Sequence, residues 1–196
     1  MSTLLKLTAA DYRQMASTGA FDRLDQRIEL IHGELREMSP AGPIHSDLID
    51  DLTRWSCQVT QPSQCRVRIQ SGIELLGLTA PDLGDDLDSA PEPDVLWLQP
   101  GRYLDRQPTA ADVQLLIEVA DSSLRYDTGE KRTLYAGHRI ADYWVVDIPG
   151  RQILVHRDPA AGQYQTQTSH GITDQIAPLA NPSALLSIAD LFGPLT

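Results

Sequence analysis

The sequence predicts an α/β domain, in which a mixed β-sheet is flanked by helices and preceded by an N-terminal helix and hairpin. Short apolar runs and helical patterns follow one another in the order helix, strand, strand, strand, helix, strand. The composition, 41% hydrophobic and 22% charged, is typical of globular proteins. A chain of 196 residues can bury a sizeable core, so we expect a single domain over residues 1–196.

The first part of the chain predicts two helices and a hairpin. Thr8 and Asp11 have the spacing of a capping box, which predicts a short helix through Gly19. The segment RIELIHGELREM predicts a hairpin that turns at His32 and Gly33. The segment that begins PIHSD predicts an amphipathic helix, whose apolar positions recur at helical spacing: Ile44, Leu48, Leu52, Trp55 and Val59.

Strands and one long loop follow. CRVRIQ alternates polar and apolar residues like a half-buried strand, and we expect SGIELL to continue it past a bulge or bend at Gly72. The stretch from Thr79 to Pro93 is rich in Pro, Gly and Asp and predicts a surface loop. DVLWL, which begins at Asp94, and VQLLIEV, residues 113–119, predict two central strands.

The last part of the chain predicts one more helix and a group of strands. Asp127 and Glu130 predict a capping box for a helix through about His138. DYWVVDI and RQILVHRD predict strands joined by a turn at Pro149 and Gly150, and GQYQTQT predicts an edge strand. PSALLSIADLF predicts a C-terminal helical segment.

The charge balance bears on the class of partner. The chain carries 16 basic and 27 acidic side chains, a net charge of −11. This opposes binding of nucleic acid by electrostatics alone, because phosphate neutralisation requires basic residues. Without six acids that cluster between Pro81 and Asp94, the net charge would still be −5, so this cluster accounts for only about half of the negative charge. The six acids are Asp82, Asp85, Asp86, Asp88, Glu92 and Asp94.

Other classes of protein are not indicated. The stretch MSTLLKLTAADYRQ lacks the pattern of a signal peptide, and no apolar run approaches the roughly 18 residues of a membrane helix. We therefore expect a cytoplasmic protein that does not contact membranes. Cys57 and Cys65 are too few for a disulfide framework or a zinc site. The sequence contains no Walker loop, G-x-S-x-G elbow or HExxH helix.

Two acids are predicted to meet at one end of the sheet. If DVLWL and VQLLIEV are antiparallel neighbours, Asp94 at the start of one lies beside Glu118 at the end of the other. Carboxylates brought together repel each other unless a cation neutralises them. Mg²⁺ takes oxygen ligands, usually one or two carboxylates with water and substrate phosphate. The pair therefore predicts a magnesium or manganese cofactor and chemistry on a phosphate.

Lys131 is the third candidate catalytic residue. It lies on the helix that follows the Glu118 strand, and it is one of only two lysines, with Lys6, beside fourteen arginines. A lysine can shift its pKa and handle a proton, whereas an arginine stays protonated. We expect Lys131 to orient or activate water, or to stabilise charge on phosphate. Arginines near it in sequence are candidate phosphate contacts: Arg125, Arg132 and Arg139.

Purely structural roles remain open for each of these residues. Asp94 could cap a loop, because it follows Pro93. Glu118 could form a stabilising ion pair with Arg125 or Lys131, and Lys131 could be an ordinary solvated helix residue. Ion-pair networks also perturb carboxylates at sites without function. The three together favour a catalytic site more than any one of them alone.

Three separated motifs closely resemble the Uma family of restriction-endonuclease-like proteins, a domain of unknown function. They are ELIHGELREMSPAGPIHSDLI, PEPDV and LIEVADSSLRYDTGEKRTLYAGHRIADYWVVD, and the resemblance covers residues of about 10 to 160. The family is similar in fold to the PD-(D/E)XK nucleases, which implies a restriction-endonuclease-like fold. In the superfamily motif a lysine follows the acid by two positions. Ala120 stands there, and the resemblance implies that Lys131 substitutes from the following helix.

The resemblance also implies roles for individual residues. Asp94 and Glu118 become metal ligands, with the backbone carbonyl of Val119 as a third. Glu29 and His45 fall on family motif positions and are accessory candidates. Tyr135 is a further accessory candidate, because it lies one helical turn beyond Lys131 and could contact substrate. Each has a plainer interpretation: a solvated strand face for Glu29, a surface position at a helix start for His45, and packing for Tyr135.

These observations predict a magnesium-dependent endonuclease that hydrolyses phosphodiester bonds in nucleic acid, with DNA the expected partner. A homodimer would lengthen the binding groove. The alternative is a catalytically inactive nuclease-fold module for binding or interaction, which the net charge of −11 favours. A carboxylate-pair hydrolase acting on sugars is a third class, but that chemistry requires neither the lysine nor a metal.

Overall fold

The computed structural model describes residues 5–38, 40–77, 79–80, 84–85 and 87–193. The chain divides into two compact units, residues 1–40 with 72–92 and residues 41–71 with 93–196. No helix within the described ranges is both long and apolar enough to cross a bilayer.

The first unit contains the predicted N-terminal helix and hairpin. Helix α1 (Ala9–Ser17) begins after Thr8, which forms the predicted capping box with Asp11. Strands β1 (Ile28–Ile31) and β2 (Glu34–Glu37) pair antiparallel and turn at His32 and Gly33, both with positive φ. The predicted hairpin is therefore confirmed, with a glycine where the left-handed backbone favours one.

Two predicted features of this part of the chain differ in the structure. SGIELL does not continue the preceding strand, because Leu75 forms an isolated antiparallel bridge with Ser89 instead. The predicted loop from Thr79 to Pro93 contains a two-residue strand pair, β4 (Thr79–Ala80) and β5 (Gly84–Asp85). Residues 81–83 and 86 of that loop, including two of its acids, lie outside the described residues.

A six-stranded mixed sheet forms the centre of the second unit. Its order is β10-β9-β8-β7-β6-β3, and only the β7–β8 pair is parallel. The predicted edge position of the strand GQYQTQT and the antiparallel pairing of β6 with β7 are confirmed. The bounds are β3 (Arg66–Ile69), β6 (Val95–Leu98), β7 (Val113–Ala120), β8 (Asp142–Asp147), β9 (Gln152–Ala160) and β10 (Gln163–His170).

One face of this sheet packs against helix α2 (Pro43–Val59). Leu48, Ile49 and Leu52 of α2 join alternate residues of the strands in one buried apolar cluster. Trp97 of β6 stacks on Trp55 of α2, and its indole N–H donates to Ser56 Oγ at 2.8 Å. These contacts hold α2 against the sheet and place the start of the helix, where His45 lies, beside the ends of β6 and β7.

The opposite face is covered by a helical stretch of three segments: α3 (Leu124–Tyr126), a π-helical turn (Asp127–Lys131) and α4 (Arg132–Gly137). The predicted start of this helix at Asp127 is wrong, because the stretch begins three residues earlier. Asp127 lies buried within it and accepts a hydrogen bond from Ser123 Oγ at 2.6 Å. Tyr135 meets Tyr143 of β8 edge to face, with ring centroids 5.0 Å apart.

The C-terminal part adds small elements. Strands β11 (Gln175–Ile176) and β12 (Leu186–Ser187) pair antiparallel, and a 3₁₀ turn at Ala110–Asp112 precedes β7. The predicted C-terminal helical segment is present but short, as α5 (Ile188–Phe192). Ile188 and Leu191 of α5 belong to the apolar cluster under α2, so this segment closes the core on that face.

The buried ring of His156, in β9, is expected to make the fold less stable in acid. The ring lies buried against the rings of Tyr143 and Tyr164, with centroids 5.4 and 5.7 Å away, and both ring nitrogens lack a hydrogen-bond partner among the described residues. Burial, with a contribution from Arg132, lowers the pKa of His156 to about 4. The pKa of His156 is therefore lower in the folded chain than in the unfolded chain, so the unfolded chain takes up the proton more readily. The free energy of unfolding is unaffected by this group above about pH 6.5 and decreases as the pH falls from there toward 4.

We expect the free energy of unfolding to fall by about 2 kcal/mol between pH 7.5 and 5 through this group. Urea unfolding at the two pH values measures the change. The control is His156→Phe, which keeps an aromatic ring against Tyr143 and Tyr164 but cannot take up a proton. If wild type and variant lost the same stability between the two pH values, His156 would not be responsible.

Candidate active site

Asp94 immediately precedes β6, at the end of the strand where the sequence predicts it. Its backbone carbonyl accepts from Gln70 N at 2.9 Å, and its Oδ2 accepts from Val119 N at 2.8 Å. The register pairs Val95 with Ile117, so Asp94 lies level with Glu118 on the neighbouring strand. Oδ1 makes no hydrogen bond or ion pair with any described residue. One oxygen of a largely buried carboxylate is therefore available to a ligand.

Glu118 lies near the end of β7, on the sheet face opposite α2. Its neighbours Ile117 and Val119 both point into the α2 cluster, so period-2 alternation directs Glu118 to the other side. The side chain is buried, and Oε1 accepts from Lys131 Nζ at 3.1 Å and Tyr135 Oη at 2.7 Å. The lysine and tyrosine thus supply the partners that a buried carboxylate requires.

Lys131 is buried with only 3% of its surface exposed, so the solvated-helix interpretation is wrong. It lies in the π-helical turn, where residues five apart come onto the same face. Tyr126, five residues before it, places its ring 5.4 Å from Nζ. The ammonium is held by the Tyr126 ring on one side and by Glu118 on the other. The sequence gives no cue to Tyr126, because ordinary helical spacing puts residues five apart on different faces.

His45 lies in the first turn of α2, and it is not a surface histidine. Its Nε2 is 3.4 Å from Asp94 Oδ2, and its side chain is only 15% exposed. The hydrogen bond to Asp94 raises the pKa of His45 above its usual value, although burial acts in the opposite direction. The Val119 backbone and Asp121 contribute in the same sense as Asp94. Asp121, which the sequence analysis did not single out, thus lies within electrostatic reach of the site.

Tyr135 and Glu29 are both buried. Tyr135 is fully covered and serves Glu118 as a hydrogen-bond donor, so it acts by positioning that carboxylate. Glu29 belongs to β1 of the first unit and is 2% exposed, which makes its interpretation as a solvated strand residue wrong. Its Oε2 accepts from Glu92 N within that unit at 3.4 Å.

The three candidate phosphate contacts occupy different parts of the helical stretch. Arg125 is exposed in α3, and Arg139 is exposed just after α4 with a left-handed backbone. A rise of about 1.5 Å per residue separates them by roughly 20 Å. Arg132 is half-buried and donates to Gln167 of β10 at 3.0 Å. The structure therefore brings together Asp94, Glu118, Lys131, His45 and Tyr135, but it spreads the arginines along the helix.

The site offers few side chains that could bind a metal ion. Within the described ranges, no group of three or more His, Cys, Asp or Glu side chains is arranged to hold a metal ion. The oxygen ligands expected at the site are the carboxylates of Asp94 and Glu118 and the backbone carbonyl of Val119, which also contacts His45. Two carboxylates with a carbonyl suit a hard cation such as Mg²⁺, which keeps several waters, better than they suit zinc.

The fold is shared with a solved structure. A crystal structure described as a putative nuclease belonging to DUF820, from Anabaena variabilis ATCC 29413, is similar with a TM-score of 0.66 and 17% sequence identity. The match covers 88% of this chain and 94% of that one. At this identity the likeness shows the fold, which is the restriction-endonuclease-like arrangement expected from the sequence. A comparison with curated proteins matched none of them.

The family follows from the sequence as a whole. The model of the Uma2 family, described as "Putative restriction endonuclease", matches residues 9–188. This match includes β6, β7 and the helical stretch, the elements that carry Asp94, Glu118 and Lys131. It also covers most of the chain. The chain therefore belongs to the Uma2 family.

Proposed function

We propose that the chain is a metal-dependent endonuclease that hydrolyses phosphodiester bonds in nucleic acid. The observation that carries this proposal is the meeting of Asp94 and Glu118 at adjacent strand ends, with Lys131 buried against Glu118. The descriptions of the family and of the structural neighbour agree with nuclease activity. A set of two acids and a lysine is better suited to catalysing the attack of water on a phosphorus atom than to a purely structural role.

Asp94 and Glu118 would hold the metal, with the Val119 carbonyl as a further ligand. A bound divalent cation would polarise the phosphoryl oxygen and neutralise charge that develops on it. Asp94 is fixed for this task by Val119 N, and Glu118 by Tyr135 and Lys131. Since these contacts use backbone or buried groups, the carboxylates are positioned before any ligand arrives.

Lys131 would orient the attacking water or stabilise negative charge on the phosphate. Its ammonium is buried and held beside the carboxylate of Glu118, so its position is fixed before substrate binds. The buried Glu118–Lys131 pair also favours the competing hypothesis, an inactive nuclease-fold module in which the pair only stabilises the sheet. Activity measurements separate these two hypotheses.

The test is cleavage of duplex DNA, single-stranded DNA and RNA with Mg²⁺, Mn²⁺ or EDTA. We expect cleavage with a divalent metal and none in EDTA. Asp94→Asn keeps the hydrogen bond from Val119 N but removes the charge, and we expect the rate to fall about a hundredfold or more, roughly 3 kcal/mol of transition-state stabilisation.

The matched control is Asp51→Asn, which removes the charge of a half-buried carboxylate of α2 that is ion-paired with Arg54. This variant should cleave like wild type. Equal activity of wild type and Asp94→Asn would place the activity outside this site. Absence of cleavage by folded wild type with every substrate and metal would support the inactive module.

A further inference from the structure

Four arginines gather at the edge of the sheet, away from the helical stretch. Arg66 and Arg68 belong to β3, the edge strand, and Arg102 and Arg106 belong to the loop that leaves β6. Arg66 donates to Gly101 O at 3.3 Å, which connects the two segments. We call these four arginines, together with Tyr103, the edge arginine patch. They are four of the 16 basic side chains of this acidic chain.

The strand register places β3's arginines on the same sheet face as Glu118. Val67 and Ile69 pack into the α2 cluster, so Arg66 and Arg68 point the other way. Arg68 lies opposite Leu96, and Leu96 lies opposite Leu116, two residues before Glu118. At about 3.3 Å per residue, Arg68 and Arg66 lie roughly 7 and 13 Å along the strands from the level of Asp94.

Tyr103 orders the patch. The guanidinium groups of Arg68 and Arg106 each lie 5.1 Å from the centre of its ring. The phenol donates to Gln99 O at 3.0 Å, which holds the ring in place. Two flexible side chains are thereby partly immobilised before any ligand binds, and this lowers the entropy lost on binding.

The patch keeps a net positive charge. Asp112 receives two hydrogen bonds from Arg106, at 2.6 and 2.8 Å, and this contact above all lowers the pKa of Asp112 to about 2. Arg106 is therefore neutralised. Across the described part of the chain, no carboxylate pairs with Arg66, Arg68 or Arg102. Segments 61–71 and 99–112 together hold four arginines and two aspartates, while the whole chain is at −11.

We propose that the edge arginine patch binds the phosphate backbone of the nucleic acid beside the bond to be cleaved. This inference rests on the proposed function for its choice of ligand. Planar guanidinium groups match phosphate oxygens in two-point hydrogen bonds. The patch also resolves the objection from net charge, because binding needs a local basic surface on the substrate side and not a basic protein.

The experiment measures binding separately from cleavage. Fluorescence anisotropy in EDTA follows a labelled 20-base-pair DNA duplex at NaCl concentrations from 50 to 200 mM. Arg66→Gln/Arg68→Gln is compared with Arg23→Gln/Arg54→Gln, which makes the same charge change at exposed positions in the first unit and on α2. Thermal melting checks that both variants fold.

We expect the patch variant to weaken the Kd about tenfold or more, and to reduce the salt slope by about 2, because two phosphate contacts are lost. The Kd of the control variant should stay within about threefold of wild type, because Arg23 and Arg54 are exposed charges outside the patch and salt screens their general attraction for DNA. Equal weakening of both variants, or of neither, would overturn the proposal. A competition experiment gives a further test. If poly-glutamate displaced the labelled duplex from the protein as readily as unlabelled DNA does, the proposal would also be overturned.

Cleavage assays with metal keep the two proposals apart. If the enzyme cleaves and the patch variant raises KM while leaving kcat unchanged, both proposals stand. If wild type binds DNA through the patch but never cleaves it, the catalytic proposal fails and the patch stands. If cleavage occurs and the patch variant has the KM of wild type, the patch proposal fails and the catalytic one stands.

Discussion

Glu118→Gln should lower the rate of nucleic-acid cleavage by about a hundredfold to a thousandfold, the size of effect seen when one preorganised electrostatic contact is lost. Glutamine has the shape of glutamate, and its amide oxygen can still accept from Tyr135 and Lys131. The charge that would hold a metal is gone. Single-turnover cleavage with Mg²⁺ measures the rate, and anisotropy in EDTA measures the Kd for the same duplex.

The Kd should change little, because Glu118 is buried and the proposed binding surface lies on β3 and the loop that leaves β6. The control is Asp142→Asn, which alters a buried carboxylate of the same sheet that receives hydrogen bonds from Arg157 and Trp144. That variant should lose stability but, while folded, retain cleavage. If Glu118→Gln cleaved as fast as wild type, Glu118 would have only a structural role.

Lys131→Met should lower the free energy of unfolding by about 3 to 5 kcal/mol, because it leaves the buried carboxylate of Glu118 without its cation. Methionine has similar length and fills the space under Tyr126. Urea unfolding at neutral pH measures the loss. The double variant Lys131→Met/Glu118→Gln removes both charges, and it should recover most of that stability.

Lys131→Arg separates stability from catalysis at this position. Arginine keeps the positive charge, so the ion pair and most of the stability should remain, but its guanidinium does not release a proton and is broader than an ammonium. We expect stability close to wild type together with slow cleavage. Cleavage at the wild-type rate by Lys131→Arg would mean that positive charge alone is required at this position.

For the double variant Lys131→Met/Glu118→Gln, a loss of stability equal to the sum of the two single losses would mean that Lys131 and Glu118 do not interact.

Much of this fold could be predicted from local pattern. The capping box of Thr8 with Asp11, the turn at His32 and Gly33 and the alternation in the strands all depend on residues close in sequence. The antiparallel pairing of β6 with β7, which was assumed when the two acids were placed together, is present in the structure. Placing Asp94 beside Glu118 needed only that pairing. The expected single domain stays a prediction, as do the cytoplasmic location and a homodimer.

Other features could not be predicted, because they depend on residues far apart or on unusual backbone. The π-helical turn moves the helix start to Leu124 and sets Tyr126 beside Lys131, five residues apart, which ordinary helix periodicity does not anticipate. The burial of Glu29 and the approach of His45 to Asp94 depend on how separate elements pack. A side chain in a polar segment gives no local sign that such packing will cover it.

The sequence by itself determined the family, the α/β sheet and the candidate acids, since strand patterns and motif spacing are local properties. Only the tertiary structure decided how Glu118 is satisfied: Lys131 and Tyr135 reach it from the helical stretch across the sheet. It also decided that the arginines of β3 and those of the loop after β6, far apart in sequence, share one edge of the sheet. The reason is physical, because burial of a charge and focusing of a positive field depend on which distant residues the fold brings together.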